Sequence, residues 1–597
     1  VTAPRRPAPR TLALPVVLLA ALVLSGCVGL PDRGPVVTRE ASTSDGRRTA
    51  SDIAARPPVR GSSPTEIVSG FLDAMTAWPI QTSVAKEYLS DEAAASWGPE
   101  RSMIVYGDFQ PPQETASALE VQVELTDADR LDASGAWRGA MSQQDRLLTF
   151  PMTIADGEFR IAEAPDALIV PVSWFQQRFR QVSLYYFDPT GRTLVPEPVF
   201  VPAGEQLATS LVSALVEGPA RRLRGVVRTY VPEDVSVNLS VPVSDSGIAE
   251  VSLSGQGDPG SPEQTELLVA QLAWTLRQDP EITAFRIRIG DHEVRLADGE
   301  SLYQVDSGSE FDPNGPATSG LLYGLSAGRV VRGTPGDLAP VDGPFGEDTA
   351  ELRSVAVVPQ GEQAAAVTPD GRTALVAAIR PLPDQADEGE AVEHTRSHVV
   401  LDGATDLGRP TWDYVGRLWL LDRTSNGAVV WCVTGGRARQ VDVPGVTGSD
   451  ARILQVSRDG TRLVAVVGSD RGDAVVGARI AIGAGGRVSR ALAPYTLDPA
   501  APGRRVLDVT WSTPTRLGVI TPARPSGLFE VDLLSVDGAA IGVDGVSTIV
   551  SGRVLSLAGP GTSRLPTYAV LRESLVDVRT RESVQIGTAV SQLHYVG

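Results

Sequence analysis

Four stretches in the last part of the chain repeat one pattern, and that repeat limits the fold more than any other feature. They are Val355–Ala366, Pro410–Trp419, Leu454–Val464 and Asp508–Gly518. Each reads as a strand, a polar or glycine turn, and a second strand that often opens with Arg-Leu. The turn positions Gln360, Asp413, Asp459 and Ser512 lie 53, 46 and 53 residues apart, and a weaker copy sits near Pro560. A period near 50 in an all-β stretch is the signature of a four-stranded propeller blade. One blade cannot bury its faces alone; stacking buries them, and ring closure removes the exposed edges. Residues 320–597 are therefore expected to form a propeller of five to seven blades, with a β-sandwich as the competing architecture.

Two smaller units precede it. Residues 62–175 open on Ser63-Pro64-Thr65-Glu66, a capping box with proline at the first helical position. Ile67, Val68, Phe71, Leu72 and Met75 then share one helical face, and Tyr88, Leu89 and Trp97 point to more helix. From Leu119 the spacing becomes alternation, in Val121, Val123 and Leu125 and then in Leu147, Phe150 and Met152. Helices followed by strands give a small α+β domain. Residues 180–305 mix the same elements. Val182, Leu184 and Tyr186 alternate as a strand, and Leu207, Leu211, Val212, Leu215 and Val216 form a helical face that stops at Gly218-Pro219. Val251 and Leu253 follow the turn Asp245-Ser246-Gly247. Ser261-Pro262-Glu263-Gln264 caps a second helix carrying Leu268, Leu272 and Leu276, and Phe285, Ile287 and Ile289 alternate as a closing strand. The expected fold class is multidomain: two small α+β domains followed by an all-β propeller, with a polar linker at 306–320.

The amino-terminal segment assigns a compartment. Residues 1–10 carry Arg5, Arg6 and Arg10 and no acid, Thr11 to Val23 is apolar, and Leu24-Ser25-Gly26-Cys27 follows. Small residues let a peptidase reach the backbone, and a thiol is the group suited to thioether attachment of diacylglycerol. Residues 1–26 thus read as a lipoprotein signal peptide, with Cys27 carrying S-diacylglycerol and N-palmitoyl groups. The alternative is an uncleaved signal anchor, which Pro15, Ser25, Gly26 and Gly29 weaken as a spanning helix. Either way the body is placed outside the cell. One acyl chain holds weakly and stable anchoring needs two or more, which a diacylglyceryl cysteine supplies. Residues 27–61, rich in Pro, Gly, Ser, Thr, Arg and Asp, read as a flexible tether.

Composition narrows the partners. The formal charge is −19, and removing three arginines with the signal peptide takes it to −19 − 3 = −22. Such a surface repels phosphate backbones and anionic lipid, so nucleic acid is not an expected partner and the membrane is reached through the lipid anchor. The four histidines, His292, His394, His398 and His594, show no zincin-like spacing, and Asp291-His292-Glu293 reads as a turn, so no metal or other cofactor is assigned. Gly324-Leu325-Ser326-Ala327-Gly328 matches a nucleophile elbow in letters but lacks the helix that must follow. Asp188 and Glu197 are carboxylates that glycosidase chemistry could use, set against a background of 72 acidic residues. Trp412, Trp419, Trp431 and Trp511 read as core packing rather than a glycan platform. Cys432, beside Trp431 in an apolar run, reads as a buried thiol. No catalytic residue is assigned.

Leu215-Val216-Glu217-Gly218-Pro219, the strand Tyr185-Tyr186-Phe187 and Trp274-Thr275-Leu276 resemble the GerMN domain. The order of lipobox, short α+β domain, GerMN-like domain and propeller resembles the LpqB lipoproteins of actinobacteria over essentially the whole mature chain. The resemblance implies a cell-envelope role and association with the extracellular domain of the MtrB sensor histidine kinase, part of the MtrAB two-component system. It carries over Cys27 and no catalytic residue. The expected function is a membrane-anchored, extracytoplasmic accessory lipoprotein that is not an enzyme and modulates such a kinase. The alternative is a peptidoglycan-binding or peptidoglycan-hydrolysing envelope protein, with cell-wall glycan as its ligand.

Overall fold

The computed structural model describes residues 54–597 apart from 117–118, 205, 259, 316–318, 348–350, 380–395, 484 and 541–546. Cys27, the signal peptide, most of the tether and His394 lie outside the described residues. In the first α+β unit the helix Pro64–Ala74 starts where its sequence dictates. Ser63 Oγ accepts from the Glu66 amide, and Glu66 Oε2 accepts from the Ser63 amide at 2.8 Å. Its buried face seats Phe71 against Trp97 and Phe150, with ring centroids 5.3 and 6.1 Å apart. One sheet orders Trp137–Ala140, Asp129–Asp132, Ser102–Tyr106 and Leu168–Pro171, with the last pair parallel. A second sheet carries Glu120–Thr126 against Leu147–Ala155.

Two readings of this region are corrected. In Leu147–Ala155 the inward set is Leu148, Phe150 and Met152, while Leu147 is 45% exposed. A strand alternates with period two, so Leu147 and Phe150 fall on opposite faces. The end of the expected tether is also docked: the Arg56 carbonyl accepts from Tyr88 Oη at 2.8 Å, and the Gly61 amide donates to Glu158 at 2.7 Å.

The second unit begins on the long hairpin Phe179–Phe187 and Leu194–Pro202, paired over nine residues. Ile248–Ser254 and Ala284–Ile289 run parallel, and Tyr303–Gln304 adds to the latter antiparallel. The helices Leu207–Val216 and Pro262–Leu276 cover these strands. The second helix has the expected reciprocal cap between Ser261 and Gln264. The polar stretch after residue 305 is anchored rather than loose: Trp274 Nε1 donates to the Gly308 carbonyl at 2.9 Å, and Phe311 meets Phe187 edge-on at 5.2 Å.

Among the described residues from Leu322 onward, six sheets are arranged as propeller blades, five of them four-stranded and the fourth blade five-stranded, with Tyr495–Asp498 also pairing on Ala474–Ile482. The four repeats are the first two strands of the second to fifth blades, and the weak copy near Pro560 belongs to the sixth. The first blade is split. Its strands Leu322–Ser326, Arg329–Thr334 and Asp337–Pro340 are completed by the innermost strand Gln592–His594, which closes the ring. Gly324 makes that closure possible, since a Cβ there would stand 2.0 Å from the Gln592 carbonyl oxygen. Ala327 and Gly328 form the following hairpin turn with positive φ. Backbone geometry thus accounts for the glycines around Ser326, whose Oγ donates to the Ala589 carbonyl at 2.9 Å.

A polar plug crosses the axis. Arg409 binds Asp508 through two bonds of 3.1 and 3.2 Å, and its Nη1 donates to His594 Nε2 at 2.9 Å. Gln455, with its amide oxygen facing the guanidinium, accepts from Nη2 at 2.6 Å. His594 Nδ1 donates to the Leu557 carbonyl at 3.0 Å, so its Nε2 is free to accept. Burial, then the Arg409 charge, hold His594 well below its ordinary value, and the imidazole stays neutral in the fold. The unfolded chain takes up a proton below about pH 6.5 while the folded chain does not. Stability from this group is therefore full above that pH and falls as pH drops below it, by up to ~1.4 kcal/mol per pH unit. Asp129, pushed up to about 6 by burial and Asp127, acts in the opposite sense, stabilising the fold as pH falls through its range. The comparison of wild type with His594→Asn cancels Asp129. The stability advantage of wild type is expected to shrink below about pH 6.5 with that slope, measured by denaturant unfolding from pH 8 to 5. A pH-independent difference would contradict it.

Candidate functional site

A cleft of about 500 Å³ separates the two α+β units. Its apolar walls are Ile80, Met103, Leu131, Leu168, Phe179 and Phe200. The helix Leu207–Val216 buries Leu207, Ala208, Leu211, Val212 and Leu215 in its own unit. Its other side lends Ser210, Ser213 and Ala214 to the cleft, and small residues there keep the space open. Glu100, Asp132 and Glu217 give acidic edges; among the lining residues no lysine or arginine answers them. Asp132 is already bound to Arg138 and to Ser134 Oγ at 2.7 Å. The volume and lining suit a ligand with an apolar body.

The two units meet through a shared core at the cleft floor. Phe200 belongs to the second unit's hairpin yet packs on Trp137 and Phe175, with centroids 5.7 and 5.2 Å away. Its amide donates to the Gly135 carbonyl at 2.8 Å. Gly135 has φ +76°, and a Cβ there would lie 2.2 Å from the Phe200 carbonyl oxygen, so only glycine allows this approach. Phe179 stacks on Phe175 at 4.8 Å.

A buried ionic clamp joins the second unit to the propeller. Glu197 Oε1 pairs with Arg462 Nη2 at 3.0 Å, and Oε2 pairs with Arg479. Arg462 is wholly buried, donates to the Pro196 carbonyl, and has Asp459 3.5 Å away. Burial alone would depress Arg479; Glu197, together with Tyr495 and Asp459, offsets this, and the guanidinium is held above its usual range. Such a cluster is worth little as net stability, because desolvation opposes the pairing, but it penalises any geometry that separates its members.

The carboxylates considered from sequence are thus explained without acid–base chemistry. Glu197 is the clamp. Asp188 caps a turn, accepting from the amides of Thr190, Arg192 and Thr193. His292 and Glu293 form a short strand on Arg288–Ile289 beyond the turn Gly290-Asp291, and His398 opens an exposed strand of the second blade. Trp412, Trp419 and Trp511 are buried and Trp431 half-buried, which removes them as a glycan platform. Cys432 is buried, and burial pushes its thiol up to about 11. Sequence reasoning missed Arg409, Arg462 and Arg479. A signal existed for Arg462: two of the repeats place an aspartate three or four residues before the Arg-Leu, and Asp413–Arg417 and Asp459–Arg462 are buried ion pairs.

Three family models match in the same order along the chain. The N-terminal domain of lipoprotein LpqB matches residues 57–176, a domain described under sporulation and spore germination matches 183–295, and the lipoprotein LpqB beta-propeller domain matches 328–549. The chain belongs to the LpqB lipoprotein family. Relatives named Lipoprotein LpqB occur in Thermobifida fusca, 27% identical over 91% of this chain and 92% of that one, and in Streptomyces avermitilis, 26% identical over 93% of each. Among solved structures, the tandem GerMN domains of the sporulation protein GerM from Bacillus subtilis are 24% identical over 21% of this chain and 46% of that one, with a TM-score of 0.18. As an LpqB-family member the chain is an accessory lipoprotein. Among the described residues, no helix is long and apolar enough to cross a membrane.

Proposed function

We propose that this LpqB-family chain is a non-catalytic adaptor on the outer face of the cytoplasmic membrane, anchored by the acylated Cys27. It acts by contact on the extracellular domain of a sensor histidine kinase of the MtrAB type in cell-envelope homeostasis. The observation that carries this reading is the joining of its modules. The first unit shares a core with the second at Phe200, and the second is clamped to the propeller through Glu197. A signal received by one module reaches the others as movement of one body, which is what an adaptor requires.

The test is crosslinking in intact cells. A photoreactive residue replaces Ile154, Leu239 or Val399, each a large apolar side chain exposed to solvent. The expected result is an adduct with the kinase ectodomain from at least one position, lost when the kinase is deleted. Adducts with cell-wall glycan alone, or none from any position, would overturn the assignment.

A further inference from the structure

The cleft between the two α+β units holds more chemistry than the fold uses. Both units build it: Leu131 and Leu168 come from the first, Phe200 and Val201 from the second. Its volume of about 500 Å³ is that of a small-molecule site. The polar side chains along it fall into two sets. Asp132 is committed to Arg138 and to the Ser134 and Ala136 amides, Ser134 Oγ to Asp132, and Ser102 Oγ to the Asp166 carbonyl. Ser210 and Ser213, on the cleft side of the helix Leu207–Val216, are half-buried and line the open space. Their hydroxyls make no hydrogen bond among the described residues, and a ligand can reach them.

The edges are acidic and unanswered. Glu100 comes from the first unit and Glu217 from the second, and both are exposed. Neither carboxylate has a hydrogen bond or an ion pair among the described residues. Arg101, beside Glu100 in the chain, is held by Asp166 at 2.6 Å, and Arg138 is held by Asp132. Glu217 directly follows the last turn of its helix, which carries no basic residue. A helix end of this kind bears partial negative charge, so an acid there is unfavourable and a cation is favourable. Gly218, with φ +79°, and Pro219 end the helix, and the Glu217 carboxylate takes no part in that stop. An anionic ligand meets only like charge here, since no lysine or arginine lines the cleft. A cation meets two free carboxylates, one from each unit.

We propose that the cleft binds a small cationic amphiphile, an apolar body bearing a protonated amine. The body fills the space against Leu131, Leu168 and Phe200. The ammonium lies at the Glu217 edge, where the carboxylate and the helix end act together, and Glu100 adds to the attraction. The Ser210 and Ser213 hydroxyls accept from polar hydrogens of the ligand. The site does not depend on the kinase contact, and its test uses the purified chain alone.

Three fluorescent probes test this: dansylcadaverine, 6-(dansylamino)hexanoate and N-pentyl dansylamide. They share one fluorophore and differ in ending as ammonium, carboxylate or plain alkyl. Each is titrated onto the full acylated chain in phosphatidylcholine nanodiscs at low and high salt, with empty nanodiscs as the blank. The expected result is saturable binding of the amine, roughly tenfold tighter than the carboxylate, with the preference narrowed by salt. The double variant Glu100→Gln/Glu217→Gln is expected to bind the amine about tenfold more weakly and the alkyl probe as before. Both side chains are exposed, so its melting temperature should not fall. Ser213→Trp, which fills the cleft, is expected to abolish binding of the amine and the alkyl probe alike. No saturable binding of the amine, equal or tighter binding of the carboxylate, or unchanged amine affinity in the double variant or in Ser213→Trp would overturn the proposal. So would two further outcomes. Displacement by the peptide N-acetyl-Leu-Lys-Leu-Leu-Lys-Leu amide far below the concentration of unlabelled pentylamine that is needed assigns the cleft to a protein segment. Loss of probe binding as the protein concentration rises assigns it to a second copy of the chain.

Discussion

Glu197→Gln is expected to cost ~3–5 kcal/mol, because it leaves two buried guanidinium groups without their carboxylate. Arg462 keeps only Asp459, 3.5 Å away, and the Pro196 carbonyl; Arg479 loses its ionic partner. The loss should appear at the joint. In wild type the second unit and the propeller are expected to unfold in one transition. In the variant the propeller is expected to unfold separately and at lower denaturant, followed by tryptophan fluorescence and far-UV circular dichroism. A triple replacement, Glu197→Met with Arg462→Met and Arg479→Leu, is expected to recover most of the loss, since it removes the uncompensated charges. A single transition for Glu197→Gln, shifted by less than about 1 kcal/mol, would show that the clamp does not hold the modules together.

Deleting residues 592–597 is expected to prevent the propeller from folding. The deletion removes the strand that completes the first blade and exposes the edge of Leu322–Ser326. It also takes away the buried Leu593, Tyr595 and Val596. At ~1.5–3 kcal/mol each, those three side chains alone approach the whole stability of a typical domain. Arg458 would in addition lose the Val596 carbonyl that accepts from its Nη2 at 2.7 Å. Leu593→Ala, which keeps the strand, is expected to cost only ~2–5 kcal/mol. Limited proteolysis reads both: the deletion should be cut throughout residues 322–591 at a protease level that leaves Leu593→Ala intact. Equal resistance of the deletion and wild type would mean the ring holds without this strand.

Local rules made much of this fold readable. Ser63 and Ser261 start helices because capping is decided within four residues, and the helix before Gly218-Pro219 stops for an equally local reason. The propeller showed itself because the second to sixth blades keep their first two strands contiguous. The first blade did not, since its innermost strand lies more than 260 residues from the one it pairs with. Leu147 was misplaced because a one-residue slip turns a strand over, and composition does not mark register. The linker after residue 305 looked solvent-bound by its polar letters, yet Phe311 and the Gly308 carbonyl anchor it. The sites were the least legible part. Glu197, Arg409, Arg462 and Arg479 look like surface charges in sequence, and what makes them different is burial against segments far away along the chain. The cleft likewise exists only where two units meet.

Palmitate labelling tests the central claim, a rigid body held at the membrane by one acylated thiol. Cells expressing wild type or Cys27→Ser are fed labelled palmitate and fractionated. The account predicts label and membrane retention for wild type and no label for the variant, which should be either released or held as unprocessed precursor. Equal labelling and equal membrane retention of the two proteins would contradict it.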